Sequence, residues 1–140
     1  MTEENDLINE MIVVVAKILD ELDQLVLSTQ NQPNNLRLIN EITEKFKTIQ
    51  NTVSFYEFSK LELLSEHAVN LLNNLSSQEV GLTIEHITCL ISTIDAIRDM
   101  QKDIKKNGKE PIFCYQDILN KSIKFKNDIS NLPKIQNMKD

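Results

Sequence analysis

The residues of this 140-residue chain whose types carry chemistry are few: two histidines, two cysteines, the glutamates Glu62 and Glu66, and a polar cluster around Lys47. Glu62 and Glu66 stand four apart, a spacing that puts both carboxylates on one helix face and suits acid–base work. The same spacing describes a solvated face, paired with Lys60 or with lysines of the preceding helix. Cys89 and Cys114 are isolated, with no CxxC pair, and read as buried, reduced thiols. Two cysteines and two distant histidines fall short of a zinc site. With two glycines in all, there is no P-loop or glycine-rich phosphate cradle. No cofactor and no metal is called for, and no enzymatic activity is expected. Lys47, Gln50 and Asn51 share one polar helix face. Lys47 is read either as a fixed positive charge at a binding surface or as an ordinary solvated lysine.

The elements that position these groups are helices. The chain has three prolines, no tryptophan and little turn chemistry for hairpins. A first helix is expected over about 3–28, capped by Thr2, with a stripe of Leu7, Met11, Val15, Ile18, Leu22 and Leu25 and with Asp20, Glu21 and Asp23 facing water. Pro33 ends it. A second helix, over about 35–54 and capped by Asn34 or Asn35, carries Ile39, Ile42, Phe46, Ile49 and Val53 at alternating spacings of three and four. A third, over about 59–75, carries Leu61, Leu64, Ala68, Leu71 and Leu75. A fourth, over about 83–106 with Thr83 as its cap, carries Ile84, Ile87, Ile91, Ile94 and Ile97 and ends at Gly108. Tyr115, Ile118, Leu119, Ile123 and Ile129 form a weaker fifth pattern over about 115–130, and residues 132–140 read as a frayed tail. The fold class is all-α: an antiparallel up-down-up-down four-helix bundle with an appended C-terminal fifth helix, one domain over 1–131.

A net charge of −6 argues against nucleic acid and against an anionic membrane as partners. The acidic start MTEENDLINE is unlike a secretory signal, and the apolar run from Met11 to Ala16 is far too short to span a bilayer. A soluble, cytoplasmic protein is expected. The basic cluster Lys102, Lys105, Lys106 and Lys109 suits a helix C-terminus.

The segment 46–58, FKTIQNTVSFYEF, and the helix after it resemble the histidine phosphotransfer (HPt) domain of the chemotaxis histidine kinase amino-terminal type. That family presents a histidine on its second helix in a pattern like A-H-T-x-K-G, followed by an aromatic turn, G-F-x-x-L. Here Phe46, Thr48 and Ile49 bracket the accepting position, and Phe55, Phe58 and Leu61 match the turn. His67 falls where the family often has a histidine on helix three. The stretch KKNGKEP and the helical pattern after it resemble the extra helix of the chemotaxis type. The resemblance implies a signalling module whose partner is a response-regulator receiver domain or a histidine-kinase catalytic domain.

Against that pattern the reactive groups are replaced. The accepting histidine aligns with Lys47, the next lysine with Gln50, the glycine after it with Asn51, and the turn glycine with Glu57. The glutamate often found three residues after the helix-three histidine is Asn70. Phosphotransfer needs an imidazole, which has a free lone pair near neutral pH. An exposed lysine, with a pKa of about 10.4, has none. Gln50 donates a hydrogen bond but does not neutralise a phosphate. Asn51 adds bulk where glycine admits close approach.

The sequence therefore reads as a degenerate phosphotransfer domain, catalytic at no residue, with a partner-binding surface of Lys47, Gln50, Asn51, Ser54 and Tyr56. It is either free-standing or part of a larger kinase. Two alternatives stand beside this reading: an active domain accepting phosphate on His67, or a structural, dimerising bundle outside any phosphorelay. Phe55, Tyr56 and Phe58 are expected to pack the turn against the bundle end, with Tyr56 an anchor for a partner if it points outward. His86, beside Glu85 in the first turn of helix four, reads as surface.

Overall fold

The computed structural model describes residues 2–77 and 81–109, with side chains from residue 6 onward. The described residues form four α-helices and no strand: α1 (Thr2–Asn31), α2 (Leu36–Val53), α3 (Ser59–Ser77) and α4 (Ile84–Asn107), with a 3-10 turn, Ser54–Tyr56, between α2 and α3. The fifth helix expected over 115–130, the tail 132–140 and Cys114 lie outside the described residues.

The helices begin and end where the chain supplies the missing hydrogen bonds. At α2 the Asn35 side chain accepts from the Leu38 N–H at 3.3 Å, satisfying a donor that has no intrahelical partner. Gly108 ends α4 at φ 74°, a left-handed cap that glycine adopts without strain. α1 runs three residues past the expected Ser28, because nothing in Thr29, Gln30 or Asn31 stops a helix before Pro33.

Each helix turns an apolar stripe inward. The stripes expected on α2 and α3 are all buried, five and five residues, with Phe46 fully enclosed. Those on α1 and α4 are corrected. Leu7 is 53% exposed and Leu25 only partly buried, while Leu19, Val26 and Thr29 join Met11, Val15, Ile18 and Leu22 inside. Leu7 and Leu25, five turns of about 3.6 residues apart, share one row at the edge of the buried face, whose centre runs through Leu22 and Val26. On α4, Ile84 and Ile91 face out, at 80% and 40% exposed. Leu90 takes the place between Ile87 and Ile94, and Met100 and Ile104 extend the buried row. A spacing of three and four is met by either set, and burial selects the one continuous with the ends.

α1 packs on α2 and on α4, α2 on α3, and α3 on α4, so the four helices close around one core. Polar links join neighbours at the rim: Lys45 to Glu21 at 3.1 Å, Ser76 Oγ to the Asn40 side chain at 3.1 Å, and Arg98 to Asp20 at 2.8 Å and Asp23 at 2.6 Å. The acidic group of α1 thus faces water and also holds cations from both adjacent helices. These links raise the Arg98 pKa, the Asp23 hydrogen bond contributing most. The two inter-helix segments at one end of the bundle meet directly. The Leu82 N–H donates to the Pro33 carbonyl at 2.9 Å, and a Cβ on Gly81 would collide with the Asn34 side-chain oxygen. Glycine alone fits there without displacing that side chain.

His86 is not a surface residue. It is 1% exposed and closes a reciprocal cap with Thr83. The Thr83 backbone N–H donates to His86 Nδ1 at 3.0 Å, and the His86 N–H donates to Thr83 Oγ1 at 3.2 Å. This is the capping-box geometry with histidine in the place of the usual glutamate. Burial lowers the pKa of the ring, opposed in part by the charge of Glu85. No described helix is long and apolar enough to cross a membrane.

Candidate partner-binding surface on the second helix

α2 buries Phe46 and Ile49 completely, and the side chain between them must therefore point away from the core. Lys47 does so. Its side chain is 44% exposed, with the ammonium 3.2 Å from the Glu44 carboxylate one turn back. An exposed pair at this spacing contributes about 0.2–0.5 kcal/mol, too little to hold Lys47 from another partner. Gln50 is half-buried, and Asn51 and Ser54 are exposed on the same side. The hydroxyls here bond to the backbone: Thr48 to the Glu44 carbonyl at 2.9 Å, Thr52 to Thr48 at 2.7 Å, and Ser54 to Asn51 at 2.7 Å. None of these hydroxyls is paired with a base that would activate it, so the face offers charge and hydrogen bonds without a nucleophile.

The turn after α2 is built on one strained residue. Glu57 has φ 60° and ψ 29°, the one positive φ at a non-glycine among the described residues. The left-handed step lets Phe58 turn back into the core, at 8% exposed, and start α3, with Leu61 fully buried one turn on.

Of the three turn aromatics expected to pack against the bundle end, Tyr56 and Phe58 do so and Phe55 does not. Tyr56 is half-buried and stacks on Phe58, centroids 6.5 Å apart and planes 9° apart. Phe55 is the outward one, 84% exposed. It comes two residues after Val53, which is fully buried, and the 3-10 turn carries it to the side away from the core. The sequence signal was its displacement from the apolar row, which the likeness to the family's aromatic turn masked.

The other chemical candidates are dispersed. His67 is half-buried on α3 beside the core residue Ala68. His86 sits at the start of α4, next to the Pro33–Gly81 junction, and the 18 residues of α2 put about 27 Å between that end and the Ser54–Phe58 turn. Glu62 is half-buried and Glu66 exposed. Cys89 is buried and reduced. Lys102, Lys105, Lys106 and Lys109 are exposed at the end of α4. Among the described residues no group of three histidine, cysteine or acidic side chains is placed to hold a metal ion.

No protein-family model matches the chain. A curated protein, the sensor histidine kinase CheAY of Helicobacter pylori, is 21% identical over 110 residues, which are 79% of this chain and 14% of that protein's length. The solved structure of the phosphorylated P1 domain of CheA3 in complex with CheY6 from R. sphaeroides superposes with a TM-score of 0.77 at 13% identity, covering 92% of this chain and 99% of that one. The four helices and these two likenesses agree: the chain has the fold of the histidine phosphotransfer domain of the chemotaxis-kinase type.

Proposed function

We propose that this chain is a degenerate phosphotransfer domain, a cytoplasmic protein-interaction module of two-component or chemotaxis-type signalling that accepts no phosphate at the usual position. The observation that carries the reading is the register of the turn. Glu57 holds the left-handed backbone of the family's turn glycine, Phe58 and Leu61 are buried after it, and Lys47 stands ten residues upstream on the exposed face of α2. Counting back from Glu57 through the 3-10 turn and α2 supports a lysine at the acceptor position, with Gln50 and Asn51 in place of the family's lysine and glycine. A domain with that surface binds and does not transfer, and has no catalytic activity of its own.

The proposed partner is a response-regulator receiver domain or a histidine-kinase catalytic domain. The superposed P1 domain was solved in complex with CheY6, which supports the receiver. An up-down-up-down arrangement belongs to the same reading. It is supported by Glu21 meeting Lys45, Asn40 meeting Ser76, and α1 rising from Ile8 to Asp20 as its α4 neighbours fall from Ile104 to Arg98.

The test pairs binding with restored chemistry. The chain is expected to bind at least one purified receiver or kinase domain from its own organism, with Lys47→Glu altering the affinity. Incubated with the cognate kinase and labelled ATP, the unsubstituted chain is expected to take no label. The triple variant Lys47→His, Gln50→Lys, Asn51→Gly is expected to take acid-labile label. Label on the unsubstituted chain that is lost in His67→Ala would replace this reading with transfer through His67.

A further inference from the structure

A phenylalanine that is 84% exposed is costly to leave in water, and Phe55 is not alone. It lines a hollow of about 270 Å³ with Leu7, Ile8, Tyr56 and Glu57, and Leu7 is itself 53% exposed. Lys47, Asn51 and Ser54 succeed one another at helical spacing, and Phe55 comes next at the end of the row. The row presents a cation at one end, an anion (Glu57, exposed) at the other and an apolar contact between them. On the far side of Ile8, Lys105 and Lys106 line a separate hollow at the end of α4.

We propose that Phe55 is the apolar anchor of the docking surface, seated in a pocket of a receiver domain that sets a carboxylate against Lys47 and a cation against Glu57. The inference rests on the reading of the chain as a receiver-binding module and names the side chain that holds the partner. An aromatic side chain brings a large apolar contact with little rotamer freedom to lose, and such residues dominate interface energetics when a partner encloses them. Lys47 and Glu57, exposed at the edge, set orientation and association rate more than strength.

The chain contains no tryptophan, so Phe55→Trp introduces a single fluorophore at the proposed contact. The unsubstituted full chain is first titrated by calorimetry with purified receiver domains of its own organism. The expected result is binding to at least one of them, weakened by roughly tenfold or more in Phe55→Ser with the thermal midpoint unchanged. In the Phe55→Trp chain the emission is expected to be that of a solvent-exposed indole when free, shifting to the blue on saturation with that receiver. Equal affinity of Phe55→Ser and the unsubstituted chain overturns the inference and leaves the receiver-binding reading in place. A blue-shifted emission in the free chain at every concentration assigns the patch to residues 110–140 of the same chain. A blue shift that grows with concentration assigns it to a second copy. Either of these overturns the inference. Failure of the unsubstituted chain to bind any receiver removes the reading and the inference together.

Discussion

Glu57→Gly is expected to stabilise the protein, and its magnitude comes from one pair of backbone dihedral angles. At φ 60° and ψ 29° the Cβ of an L-residue crowds the following carbonyl, at a cost of roughly 1–2 kcal/mol. Glycine removes that cost but enlarges the freedom of the unfolded chain, which offsets about 0.4–1 kcal/mol. Glu57 is exposed, so little contact energy is lost with its side chain. The net gain is about 0.5–1 kcal/mol, or a few degrees in thermal midpoint at roughly 2–4 °C per kcal/mol for a domain approaching 150 residues. The measurement is urea unfolding followed by helical circular dichroism, comparing midpoints at constant slope. Two further substitutions bracket it. Glu57→Asn should be neutral or mildly stabilising, since asparagine tolerates the left-handed region, and Glu57→Val should cost more than about 1 kcal/mol. A loss of stability in Glu57→Gly with no loss in Glu57→Val would refute the reasoning. It would mean that the backbone is not left-handed here, and the proposed register, with Lys47 at the acceptor position, would lose its anchor.

Other perturbations test the core and the cap. Phe46→Ala, at a fully enclosed side chain, should cost about 3–5 kcal/mol, while Lys47→Ala next to it should stay within about 0.5 kcal/mol; chemical denaturation of the two variants measures both. Gln101 is 5% exposed and its Nε2 has no hydrogen-bond partner among the described residues, so Gln101→Met should be neutral or stabilise by up to about 1–2 kcal/mol; a clear loss in calorimetry would point to a bond made by that nitrogen. His86 has its pKa lowered by burial, so the unfolded chain binds the proton first as pH falls through about 6.5. Stability should be full above that value and decline below it, down to the lower pKa of the folded state, as protonation of Nδ1 removes the bond from Thr83. His86→Gln keeps an acceptor without a titrating ring, and an unchanged decline in that variant would assign it to another group.

The fold was legible where both faces of a helix were sharply distinguished. On α2 and α3 the apolar rows are interrupted by charged or amide residues on every turn, so period and burial coincide, and each expected core residue is enclosed. On α1 and α4 apolar residues crowd more than one row: Val13, Val14 and Leu27 on the first, Ile84 and Ile91 on the second, all exposed. Periodicity alone could not choose among overlapping rows of three and four, because the choice is made by the neighbouring helices. His86 was misjudged for a local reason. Thr83 is legible as a cap, but its partner three residues on is usually glutamate or glutamine, and a histidine beside Glu85 in the first turn gives no sign that its ring nitrogen fills that role. Phe55 faces solvent instead of packing on the bundle end because a 3-10 turn, at about three residues per turn, carries it around the helix axis differently from an α-helix.

The contrast between the two halves of segment 46–58 bears on why such a chain would keep its shape. Lys47 and Asn51 lie outside the fully buried row of Phe46, Ile49 and Val53, so burial does not set their identity. The turn is different. Glu57 holds an unfavourable backbone at roughly 1–2 kcal/mol, although the chain is exposed there and an α-helical continuation would carry no such strain. The compensation is the return of Phe58 and Leu61 to the core and, with it, the angle at which α2 and Phe55 face solvent. A strained residue persists where the surrounding packing over-determines it. Here that packing fixes the orientation of the exposed surface and is indifferent to the side chains the surface carries.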